Sequence, residues 1–159
     1  MRAPTRTMTA GATAAAIALL LGGSALSATA TAGQSSEQDR TMRFHVKFST
    51  FSYTDLGTPG QSVADVIVFH DRLQQRGRTV GDEVGSCVVV DPKQGLANCT
   101  GVVRLGARGT ITYSFVNAPP PHKVLAVTGG SGQFRSVGGD GTLDENGDGT
   151  GTLVLRLQD

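Results

Sequence analysis

Asp71 stands in a run of this sequence where a carboxylate shares a strand face with large apolar side chains. If residues 63 to 73 are extended, Val63, Asp65, Ile67, Phe69, Asp71 and Leu73 fall on one face, and Val66, Val68, His70 and Arg72 on the other. A carboxylate held beside Ile67 and Phe69 must find donors or shift its pKa, and either outcome suits a ligand pocket. The competing reading is an Asp at a barrel mouth, kept in water. His70 cannot join Asp71 in one site, because adjacent strand residues point to opposite faces. His45, His70 and His122 lie far apart, none at a short ligand spacing from another His, Cys or Glu, so no metal site is expected.

Two further segments imitate known sites. Asp144-Glu-Asn146-Gly-Asp148-Gly149 opens like a calcium loop, but the twelfth position, which should be a bidentate Glu, is Leu155. Thr152 to Leu157 alternates like a strand, so a hairpin turn accounts for the segment more simply. The glycine run from Leu125 to Arg135 lacks the Lys-Ser/Thr pair of a phosphate loop, and no helix starts there to aim amides at an anion. Ser131 has Gly132 directly after it, one residue too early for a Gly-x-Ser-x-Gly nucleophile. A corner between strands, where glycine permits unusual backbone angles, is the plainer reading.

The elements that must position these residues are strands. Eight candidates follow one another, at 42 to 54, 63 to 73, 78 to 90, 96 to 105, 109 to 117, 122 to 128, 134 to 143 and 150 to 157, with turn residues between them. The fifth is the cleanest, with Ile111, Tyr113 and Phe115 opposite Thr110, Thr112 and Ser114. No segment after residue 40 keeps helical spacing long enough for a helix. The expected fold is all-β, an eight-stranded antiparallel barrel over residues 42 to 159. Closure removes sheet edges, and at this strand number the interior holds at most one small ligand.

Residues 1 to 32 read as a signal peptide. Arg2 and Arg6 precede an uncharged run from Thr9 to Leu26, and Ala28-Thr29-Ala30-Thr31-Ala32 offers small residues for cleavage after Ala30 or Ala32. The strongly apolar centre is short for a membrane span, so a secreted protein without a membrane anchor is expected. Polar residues 33 to 41 read as a flexible lead into the domain. Of the 14 Lys and Arg, Arg2 and Arg6 leave with the signal, and 13 Asp and Glu then give a nearly neutral domain without a basic cluster. A nucleic-acid partner is therefore not expected. Cys87 and Cys99 are the only cysteines, and an even count in an exported chain favours a disulfide over a free catalytic thiol, with two small buried hydrophobes as the plainer alternative.

The run from Ala64 through Asp65, Phe69 and Asp71 to Leu73, followed by Arg78 to Gly81 and Gly85 to Cys87, resembles plant allene oxide cyclases. Leu125 to Phe134 resembles the same family and the related dirigent proteins, so the resemblance spans residues 42 to 157. It implies an eight-stranded antiparallel barrel with a mostly apolar cavity, in which a substrate is folded so that a ring closes with one stereochemistry. By the same resemblance Phe69 lines the cavity, Asp71 sits where the plant enzymes place a water-holding Asn, and Cys87 faces the cavity. The first-strand Glu of those enzymes has no counterpart between Met42 and Thr54, which offers His45 and Lys47 instead. Homo-oligomers are implied by resemblance alone.

The expected function is cyclisation or isomerisation of a small hydrophobic or phenolic molecule. Ile67, Phe69, Ile111, Tyr113 and Phe115 would fold it, Asp71 would orient its polar end, and no cofactor is needed. A dirigent-like barrel that binds and steers without catalysis is the alternative, and a structural secreted module a third, since fold alone does not fix function.

Overall fold

The computed structural model describes residues 40–159. Eight strands follow in chain order: β1 (Arg40–Thr54), β2 (Val66–Gln75), β3 (Arg78–Asp91), β4 (Leu96–Arg104), β5 (Thr110–Asn117), β6 (His122–Gly130), β7 (Gly138–Glu145) and β8 (Thr150–Gln158). Each pairs antiparallel with the next, and β1 pairs with β8 to close the barrel. The expected all-β eight-stranded barrel is the observed fold. The only helical turns among the described residues are short 3₁₀ turns at Gly106–Arg108 and Gly132–Phe134. The expected signal peptide and most of the lead lie outside the described residues.

β1 displays the rule that builds the wall. Met42, Phe44 and Val46 are buried, while Thr41, Arg43, His45 and Lys47 between them are exposed, the period of two that a half-buried strand requires. Inward residues from the other strands join them, so that Phe44, Leu73, Val103, Ile111, Tyr113, Leu153 and Leu155 form one apolar core. Phe134 closes this end from its 3₁₀ turn, with the guanidinium groups of Arg40 and Arg108 at 4.9 and 5.4 Å from its ring centre. The opposite end is less filled and holds a smaller cluster of Cys87, Ala97 and Cys99 against Ile67, Phe69 and Phe115.

Three strand starts differ from the sequence reading by two residues or more. β2 starts at Val66 rather than residue 63, because Ala64 has a φ of 77° that interrupts extension. Val63 is left exposed, and Asp65 turns into the β1–β2 loop instead of sharing a face with Ile67, Phe69, Asp71 and Leu73. β7 runs from Gly138 to Glu145 rather than from 134 to 143, since the 3₁₀ turn occupies the expected start. β1 begins at Arg40, where Arg40 and Thr41 pair with Leu157 and Arg156, so the lead ends two residues earlier than expected. In the β7–β8 turn, Asp148 Oδ1 accepts from the Thr150 amide at 3.0 Å and its hydroxyl at 2.6 Å. This is the local bonding of a tight turn.

Cys87 and Cys99 are disulfide-bonded and directly opposite in the β3–β4 register, 12 residues apart in sequence. The bond fixes that hairpin's register and with it the choice of side chains that face inward. Replacing both cysteines with Ala is expected to lower the free energy of unfolding by about 2 to 3 kcal/mol, the range for a short closed loop. Urea unfolding of the double variant beside the parent measures this; coincident midpoints would deny the bond a stabilising role.

Candidate functional site: a carboxyl pair in an aromatic cavity

The less filled end opens into a cavity of about 470 Å³. Phe48, Phe51, Ile67, Phe69 and Phe115 supply its apolar wall, and Asp71, Glu83, Asn117 and Glu145 its polar groups. Asp71 on β2 and Glu83 on β3 are partners in the strand register, so both side chains project inward side by side. They are 5% and 2% exposed.

A bulge in β1 prepares the site for Asp71. The register passes from Lys47 opposite Arg72 to Thr50 opposite His70, so Phe48 and Ser49 both face the single residue Asp71. An inserted residue leaves amides outside the ladder, and both find partners here. The Phe48 amide donates to Gly149 O at 3.0 Å, and the Ser49 amide to Asp71 Oδ1, also at 3.0 Å. Burial raises the Asp71 pKa, against the pull of the Ser49 amide and the charge of His70.

Glu83 has no comparable support. Its Oε2 is buried without a hydrogen-bond partner. Burial first, and the Asp71 charge second, push its pKa up to about 8. Glu83 therefore keeps its proton at neutral pH, as a carboxylic acid beside a second carboxyl group. Its chain neighbour Asp82, on the outer face, behaves oppositely. Arg104 Nε and Nη2 donate to Asp82 at 2.7 and 2.5 Å, with His70 Nε2 at 3.1 Å, and Arg104 above all holds its pKa down at about 2. One step along a strand thus separates an acid built to stay neutral from one built to stay ionised.

The β1–β2 loop, residues 55 to 65, is anchored by Asp65. Its fully buried carboxylate accepts from the Tyr53 hydroxyl, the Leu56 amide at 2.8 Å and the Ser62 amide at 2.6 Å. The Tyr53 bond leads the causes that lower the Asp65 pKa to about 2, and the same contact raises Tyr53 to about 12. A depressed carboxylate stabilises the fold above its unfolded pKa, and this contribution fades as pH falls from about 4 toward 2. Hydrogen exchange at the Leu56 and Ser62 amides should accelerate over that range relative to β4 amides, and Asp65→Asn should show the acceleration already at neutral pH. Unchanged protection in the variant would remove Asp65 as the anchor.

Of the residues singled out from sequence, Ile67, Phe69, Asp71, Phe115 and Cys87 lie in the cavity wall. Ile111 and Tyr113 do not, although they share the inward face with Phe115. Both are packed in the core deeper in the barrel, with the Tyr113 ring 5.9 Å from that of Phe115. Position along a strand sets depth as well as face, and the alternation that identified the three residues reports only the face. Sequence reasoning missed Phe48, Glu83, Asn117 and Glu145. Glu83 was within reach, because it lies in phase with Cys87 along β3. Among the described residues no group of three or more His, Cys, Asp or Glu side chains is placed to hold a metal ion.

No family model and no curated protein matches the chain. Solved structures do. A pyocyanin demethylase is 27% identical over 74% of this chain and 99% of its own, with a TM-score of 0.66. A pterocarpan synthase dirigent protein is 17% identical over 77% of this chain and 94% of its own, at a TM-score of 0.53. A Diels-Alderase from Streptomyces koyangensis is 14% identical over 76% of this chain and 70% of its own, at 0.57. In its fold the chain is a closed eight-stranded antiparallel barrel, the fold it shares with the demethylase, dirigent and Diels-Alderase structures.

Proposed function

We propose that this is a secreted barrel that holds a small, mostly apolar molecule in its cavity and guides its cyclisation or isomerisation, with Asp71 and Glu83 managing the proton. The observation that carries this reading is the placement of two buried carboxyl groups at facing strand positions, in a wall otherwise rich in phenyl rings. Glu83 donates its proton as a bond within the substrate shifts, and takes one back from the position that loses it. The net change is an isomerisation, with no electrons supplied or removed. General acid–base help of this kind contributes about 10²- to 10⁴-fold in rate. Phe48, Phe69 and Phe115 add restricted geometry and exclude water.

The likeness to a demethylase and a Diels-Alderase supports small-molecule chemistry in such a barrel, and the pterocarpan synthase dirigent protein supports ring closure. The Cys87–Cys99 disulfide and the signal-like residues 1 to 32 support export.

The test starts from the natively secreted protein, extracted with organic solvent and compared by mass spectrometry with a Phe69→Arg control. A compound found only with the parent protein is then incubated with fresh protein. Conversion should slow about 100-fold or more in Glu83→Gln with binding retained. Equal rates in the two proteins would take Glu83 out of the chemistry and leave a barrel that only binds or steers.

A further inference from the structure

The charge of the cavity wall identifies a ligand class. Asp71, Glu83 and Glu145 bring three carboxyl groups to the cavity, while no Lys, Arg or His is among the described residues that line it. Neighbouring cations are engaged elsewhere. The buried Lys123 ammonium donates to the carbonyls of Ala118 and Pro120, at 2.6 and 2.9 Å. Arg104 and His70 hold Asp82 on the outer face, and His122 Nδ1 lies 2.5 Å from Asp144. The buried Oε2 of Glu83 has no partner, so a polar atom in the wall stands unanswered.

From this we infer that the cavity takes a flat aromatic molecule bearing a positive charge or a readily protonated nitrogen. This rests on the reading above that the cavity binds a small molecule. A cation placed between Asp71 and Glu83 supplies the counter-charge that the barrel omits, so that Glu83 can release its proton beside Asp71 and both groups attract the ligand. The faces of Phe48, Phe51, Phe69 and Phe115 also attract cations and stack on planar rings. An anionic ligand would meet the same carboxyl groups with no donor of opposite charge, at a site where water screens poorly.

Three tricyclic probes of nearly equal size separate charge from shape. The folded, disulfide-intact protein is titrated at pH 7 with proflavine, a planar cation, with anthracenemethanol, which is neutral, and with anthracenesulfonate, an anion. Proflavine should bind about tenfold or more tighter than the sulfonate. The preference should fall to about threefold or less in the Asp71→Asn, Glu83→Gln double variant, and weaken in Glu145→Gln at the cavity rim, which spares the buried pair if the double variant misfolds. Similar affinities for all three probes, or tightest binding of the sulfonate, would overturn the cationic class and leave the cavity reading standing. No binding of any probe by a protein whose circular dichroism is that of a folded barrel would overturn both.

Discussion

Glu83→Gln is expected to remove most of the stability that the protein loses as pH rises from about 4 to 8. Burial and the Asp71 charge raise the Glu83 pKa in the folded barrel from the ordinary 4.5 to about 8. A raised folded pKa means stability is fully present below the unfolded value and declines as pH rises toward the folded one. The unfolded chain releases the proton above pH 4.5 and the folded chain does not, until pH reaches about 8. For one such group the decline amounts to about 4 to 5 kcal/mol across the window. Gln cannot ionise, so the variant lacks this slope. It carries instead a constant penalty of about 1 to 3 kcal/mol for an amide that finds no partner at the Oε2 position. The two stability curves should cross, with the parent ahead at pH 4 and the variant ahead at pH 8. Urea unfolding at several pH values measures both, and parallel curves would mean that Glu83 titrates as an ordinary carboxyl group. Asp71→Asn should give an intermediate slope, because it removes the second of the two causes and leaves burial intact.

Gly85→Val should lower stability by about 3 kcal/mol and close the cavity to ligand, through a collision the barrel cannot relieve. Gly85 lies opposite Phe69 in the β2–β3 register, and the Phe69 ring rests over it. A Cβ at Gly85 would come within 2.3 Å of Phe69 Cζ and also within 2.3 Å of the Thr100 carbonyl oxygen. The ring can swing away, but the carbonyl belongs to the ladder of β4. The ring would swing into the space that the ligand needs. Gly101 provides the contrast. It is the Gly85 partner on β4, and the nearest atoms to a Cβ there all belong to the Tyr113 side chain, the first at 2.3 Å. Gly101→Val is therefore expected to cost as much alone but to recover about half of the loss when combined with Tyr113→Ala, whereas Phe69→Ala should rescue Gly85→Val much less. Thermal unfolding of the four variants tests the pattern. Equal rescue at both sites would show that the Thr100 carbonyl yields.

Much of this architecture was legible in the sequence, and the reason is the period of two. Alternation of Met42, Phe44 and Val46 with charged residues, or of Ile111, Tyr113 and Phe115 with threonines and serine, states both strand and face. Turn residues every ten positions then leave few architectures other than a barrel. The cavity was less legible, for two physical reasons. Depth inside a barrel follows from register and tilt, which place Phe115 in the cavity and Ile111 and Tyr113 in the core although all three share one face. The bulge at Phe48 and Ser49, which supplies the donor for Asp71, leaves no mark in a hydrophobic pattern that continues through Phe48. Asp71 was recognisable because its neighbours on the same strand face, Phe69 and Leu73, are apolar. Glu83 sits between Asp82 and Val84, and only its phase with Cys87 along β3 hints at an inward face; its place beside Asp71 becomes visible when β2 and β3 are paired. Asp65 was misplaced for a related reason, since the positive φ at Ala64 is a tertiary choice that a non-glycine residue does not advertise.

The carboxyl group of Glu83 is the working centre of the cavity, and its titration can be read directly by carbon NMR on protein labelled at glutamate carboxyls, with Glu83→Gln identifying the resonance. A buried pair should give a midpoint near 8 that falls in Asp71→Asn and falls further when proflavine is bound. A midpoint near 4.5, unmoved by either change, would show an acid open to solvent and contradict the buried pair as the working part of the cavity.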